Sequence, residues 1–164
     1  MIRLFSIAAL ALFATLLPML VAAHGNGEHA VQPNTPYTAK STGTRLLGLG
    51  DVQIKMLLDA ANAPDSGLEV AELIIPAAYK EGQAHAHGSL EIFYVVEGIL
   101  GHEVNGTLYK LNPGELGFVK PGDEIKHHVL SEQDVKAVVI WTPGGEASRL
   151  VEHAGFKELP LGVE

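Results

Sequence analysis

The stretch HAHGSLE, residues 85–91, places two imidazoles one residue apart and a carboxylate four positions further on. On a β-strand alternate side chains share a face, so His85, His87 and Glu91 would point the same way. Two ring nitrogens and a carboxylate oxygen suit one divalent transition metal: iron, manganese, nickel, copper or zinc. The chain contains no cysteine, which excludes a thiolate-bound structural zinc site. A fourth ligand is expected from KPGDEIKHHV, residues 120–129. Ile125, His127 and Val129 fall on one face there, and His128 and Leu130 on the other, so His127 is preferred over His128. A lone H-x-H on a strand is more often a solvated surface than a ligand pair. The matching parity of Glu91, the apolar run IFYVVEG behind it and a further histidine after a Pro-Gly turn together favour the metal.

These residues need a scaffold of strands. From Leu46 the chain alternates short β-rich runs with turn signals. VQIKMLLDA precedes the turn cluster NAPDSG, LEVAELIIP ends at Pro76, and LEIFYVVEGIL crosses Gly98. HEV and TLYKL are joined by Asn105-Gly106, a hairpin signal because both residues tolerate positive φ. LGFV, between NPGE and KPGDE, is followed by IKHHVLS, and VKAVVIWTP closes the series at Pro143-Gly144-Gly145. About eight short strands with frequent turns indicate an all-β sandwich or barrel. The tail, residues 146–164, is expected to carry one short helix from Glu146 to about His153.

On these residues the chain resembles the cupin superfamily. Its first motif, G-x5-H-x-H-x3-4-E-x6-G, is matched by His85, His87, Glu91 and Gly98, with Tyr79 in place of the opening glycine. The second, G-x5-P-x-G-x2-H-x3-N, is matched loosely by Gly114 and VKPGDEIKH, with Ser131 in place of the asparagine. The resemblance spans roughly Leu46 to Pro143. It implies a single cupin jelly-roll β-barrel over residues 46–145, with His85, His87, Glu91 and His127 binding one divalent metal inside it.

Such a metal keeps positions open for water, substrate or dioxygen. Three outcomes are compatible with it: dioxygenase-like oxidation, metal-dependent isomerase or lyase chemistry, and non-catalytic binding of metal or a small ligand. The inferred inward face continues from Glu91 through Phe93 and Val95 and carries no lysine or arginine, so a small, fairly apolar organic substrate is expected. Tyr109, alternating with Leu111, is a candidate phenol near the site. His102 is expected to be satisfied or exposed, and His153 to play no part. Trp141 belongs either to the pocket or to a covered outer surface. The opposite face of the same strand, Ile92, Tyr94 and Val96, is also apolar and needs a cover; a homodimer through that sheet is the expected one.

The first 23 residues differ from the rest. Arg3, the apolar run LFSIAALALFATLLPMLV and small residues up to Ala23 form the pattern of a cleaved secretory signal. Export to the periplasm or exterior follows, with no membrane attachment after cleavage. Residues 24–45, rich in Gly, Pro, Asn, Thr and Ser, read as a flexible arm. A free His24 would offer amine and ring to copper, although a polar linker residue is the commoner role. Cleavage leaves ten basic against nineteen acidic residues, a formal charge of −9. That balance, with no basic cluster, argues against nucleic-acid binding.

Overall fold

The structure is a computed structural model and describes residues 38–162. The expected signal segment, His24 and His29 therefore lie outside the described residues. The described residues form ten strands and one helix in order: β1 (Arg45–Leu49), β2 (Val52–Leu58), β3 (Glu69–Ile75), β4 (Leu90–Glu97), β5 (Leu100–Val104), β6 (Thr107–Leu111), β7 (Leu116–Val119), β8 (Ile125–Val129), β9 (Val135–Thr142), α1 (Glu146–His153) and β10 (Lys157–Leu159). A seven-stranded sheet runs β10-β1-β2-β3-β9-β4-β7, and a three-stranded sheet runs β6-β5-β8. Every pairing is antiparallel. The all-β expectation holds, and α1 occupies the expected residues. Among the described residues no helix is long and apolar enough to cross a membrane.

The eight expected runs are β2 to β9. The two additional strands, β1 and β10, are short and pair with each other at one end of the large sheet, Leu46 opposite Leu159. The tail is thus partly built into the sheet.

Period-two patterning builds the core. Along β9, Val135, Ala137, Val139 and Trp141 are buried while their neighbours are only partly so. Glu91, Phe93 and Val95 do the same along β4. Leu100, Leu111 and Val129 of the small sheet join Leu47, Met56, Ala71 and Leu73 of the large one in a single apolar cluster. Burying such side chains stabilises the fold by roughly 1.5–3 kcal/mol each.

Two turns set the strand registers. Asn105 and Gly106 take φ 49° and 78°, the positive pair of a type I′ hairpin, and join β5 to β6. Gly98 has φ 75°, and a Cβ there would sit 2.4 Å from the Asp134 carbonyl oxygen. Only glycine fits both the dihedral and the space. Gly98→Ala is therefore expected to cost about 2 kcal/mol or more, read as a lower urea midpoint at unchanged slope.

Candidate metal centre

The site lies where the chain crosses between the two sheets. His85 and His87 precede β4 rather than lying on it, contrary to the strand geometry expected for them. His85 is tied to β8 by a bridge: its N–H donates to the Ile125 carbonyl at 3.0 Å, and Ile125 N–H donates back at 2.8 Å. Its side chain is exposed, whereas His87 is buried. The two side chains differ in burial because the chain leaves the ladder before β4 begins, yet their rings stay close, with centroids 5.9 Å apart. Glu91 is on the inward face of β4, as its parity requires, and is buried.

Hydrogen bonds assign the ring nitrogens. His85 Nδ1 lies 3.1 Å from the Gln83 carbonyl, and His87 Nδ1 lies 3.1 Å from the Ser89 carbonyl. A carbonyl only accepts, so both Nδ1 atoms carry a proton; a carboxylate likewise only accepts, so His87 Nε2 carries one too where it meets Glu91. His87 Nε2 meets Glu91 Oε2 at 3.0 Å. The other carboxylate oxygen, Oε1, accepts a 2.7 Å hydrogen bond from Trp141 Nε1–H. Burial by itself would lower the His87 pKa. The hydrogen bond and negative charge of Glu91, with a contribution from Glu146, outweigh it, and the net direction is up.

His127 sits on β8, its ring edge-on to Phe93 with centroids 4.5 Å apart and 6.3 Å from the His85 ring. Its Nε2 is buried without a partner. Burial, and then the surrounding histidines, push its pKa well below the usual histidine range, so the ring is neutral. His128 faces the other way and bonds Glu103 at 2.7 Å. The parity argument thus separates the two histidines in the sense expected.

His102 was expected to be satisfied or exposed; it is buried, and satisfied at one ring nitrogen. It is 2% exposed, directly across the β5–β8 ladder from His127, with ring centroids 5.6 Å apart. Its Nε2–H donates to the Phe118 carbonyl at 3.3 Å, while Nδ1 is buried and unpartnered. Burial lowers its pKa.

A cavity of about 530 Å³ opens beside these residues, within the range of ~300–1,000 Å³ typical of small-molecule sites. His85, Glu91 and His127 lie on its wall; His87 is tucked beside Glu91 behind it. Val52, Ile54, Leu73, Ile75, Phe93 and Trp141 supply apolar walls from β2, β3, β4 and β9. Tyr79, the residue in place of the motif's opening glycine, also faces in, and among the described residues no lysine or arginine lines the space. Leu150 and His153 of α1, with Phe156 beyond it, close one side. His153, expected to play no part, therefore belongs to the cavity rim. Tyr109 does not line the cavity and is 52% exposed. Its strand, β6, has only β5 as a neighbour, and four of its five residues are exposed.

Among the described residues no three His, Asp or Glu side chains stand in a ready coordination cluster. The chemistry of the donors nevertheless fits a metal. His85 holds Nδ1–H on a carbonyl, the arrangement that leaves Nε2 as ligand, and His87 does the same once an incoming ion displaces its Nε2 proton. His127 is neutral and has an orphaned buried nitrogen. The 3.0 Å between His87 Nε2 and Glu91 Oε2 is also the separation of two adjacent ligand atoms each ~2.1 Å from a shared ion.

Residues 72–143 match the family model described as Cupin domain. A comparison with curated proteins gave no match. Solved structures that share the fold include the following three. An RmlC-like cupin from Shewanella frigidimarina is 22% identical with a TM-score of 0.52, covering 64% of this chain and 88% of that one. KdgF from Halomonas sp. is 22% identical with a TM-score of 0.52, covering 61% and 87%. A protein from Thermotoga maritima described as a predicted oxalate decarboxylase is 20% identical with a TM-score of 0.51, covering 57% and 81%. At these identities the likeness is one of fold. Residues 72–143, from β3 through β9, are thus similar to a cupin domain, and the solved structures share its fold.

Proposed function

We propose that this chain is an exported cupin that binds one divalent transition metal through His85, His87, Glu91 and His127. It acts as a dioxygenase-like oxidoreductase on a small, fairly apolar organic molecule held in the cavity. One observation carries the reading: three of the four ligand candidates lie on the wall of an otherwise largely apolar cavity of about 530 Å³ that, among the described residues, no lysine or arginine lines. A bound iron, manganese, nickel or copper ion would supply Lewis acidity and dioxygen chemistry to an enol or phenol. The chain's own residues do the rest. Phe93 and Trp141 offer aromatic faces to a planar substrate, the β2 and β3 side chains exclude water, and Tyr79 and Gln83 supply polar groups to orient it. Export rests on the signal pattern of residues 1–23.

Oxygen uptake by the metal-loaded protein, screened over enolic and phenolic compounds, tests the reading. Turnover that disappears in His127→Ala supports it. Tight binding of such a compound without uptake favours the second reading, a non-catalytic metal- or ligand-binding protein. A specific observation favours that rival: both oxygens of Glu91 already have hydrogen-bond partners within the protein.

The outer face of β4 and β7 supports a homodimer. Tyr94, Val96, Leu116 and Phe118 are 40–55% exposed, with Ile92 opposite Phe118 and Tyr94 opposite Leu116 on an edge of the large sheet. Phe118→Glu is expected to convert a dimer to a monomer in sedimentation velocity, since a charge replaces apolar contact at the centre of the patch.

A further inference from the structure

We propose that Trp141 is a positioning residue for Glu91, holding one carboxylate oxygen so that the other alone is presented to the metal. The inference rests on the metal reading above and extends it to a residue outside the ligand set. Trp141 and Glu91 are 3% and 4% exposed and face each other across the β4–β9 ladder. The indole N–H donates to Oε1 at 2.7 Å. An indole N–H is a donor only, so it cannot exchange roles with the carboxylate. A buried N–H without an acceptor is costly, which opposes rotation of the carboxylate away from it. Oε2 is left beside His87 Nε2 at 3.0 Å. A bound metal would then meet Glu91 through Oε2 alone. Fixing a ligand through a hydrogen bond from behind typically contributes about 10–100-fold to metal affinity.

Trp141 is also the chain's single tryptophan, so its indole gives one signal that reads this contact without mutation. The test uses Zn(II) alone as probe. In the wild-type protein labelled with ¹⁵N, stoichiometric Zn(II) should shift the indole N–H resonance, because the metal draws electron density from the carboxylate it donates to. Trp141→Phe keeps the ring and removes the donor; its Zn(II) affinity should fall about 10–100-fold. Val135→Ala, a core truncation outside the cavity lining, controls for packing: it should lower thermal stability and leave Zn(II) affinity unchanged. An unshifted indole signal on Zn(II) binding, or a Phe variant that binds as tightly as wild type, overturns the proposal while the metal site stands. Equal loss of affinity in the Phe and Val135 variants also overturns it, because the effect is then one of packing. Absence of Zn(II) binding by the wild type instead overturns the metal reading and this inference with it.

Discussion

Glu91→Ala is expected to lose the metal and a large part of the protein's stability at once. The carboxylate is 4% exposed and accepts from both Trp141 and His87. Removing it strands an indole N–H and an imidazole in the interior, and breaking a buried pair of this kind typically costs about 3–5 kcal/mol. Glu91→Gln separates the two effects. The amide oxygen can still accept from Trp141, so most of the stability should return. A neutral amide is a much poorer ligand for a transition metal, and affinity should stay at least about 100-fold below wild type. Urea unfolding of the apo proteins beside metal titration checks both halves. A Gln variant that binds metal like wild type would remove Glu91 from the site.

Phe93→Ala carries the second large effect. Its ring is 1% exposed and lies at the junction of core and site, edge-on to His127 at 4.5 Å and to His102 at 5.6 Å. Truncating a buried phenylalanine typically costs about 3–5 kcal/mol, part of it for the cavity left behind. In a domain of this size that lowers the melting temperature by roughly 10–20 °C. The two histidines lose the surface that sets their orientation, so metal affinity should fall as well. Phe93→Leu restores most of the volume and should recover most of the stability. Calorimetry of the three proteins measures it.

Much of this was legible because strand parity is a local property. The alternation of β4 alone put Glu91, Phe93 and Val95 inside and left Tyr94 and Val96 outside. The flanking Ile125 and Val129 told His127 from His128 in the same way. The Asn105-Gly106 turn followed from the positive φ both residues accept.

What escaped depends on partners distant in sequence. His85 and His87 share parity but differ in burial, because the segment bridges to β8 before entering β4. Burial of His102 requires the β7 backbone, where Phe118 supplies the acceptor carbonyl and Gly117 leaves room for the ring. No pattern around residue 102 announces either. Tyr109 alternates with buried Leu111 yet lies open, because an edge strand with one neighbour need not bury the face that parity assigns to it. The bond from Trp141 to Glu91 joins residues fifty positions apart and is fixed by the β4–β9 register. His153 reaches the cavity only because α1 packs across it.

Elemental analysis of the protein purified from its native compartment, beside His85→Ala/His87→Ala, tests the central claim most directly. The account predicts close to one iron, manganese, nickel, copper or zinc ion per chain in the wild type and none in the double variant. Two proteins equally free of metal and equally stable would contradict it, leaving HAHGSLE as polar residues beside a barrel cavity of another use.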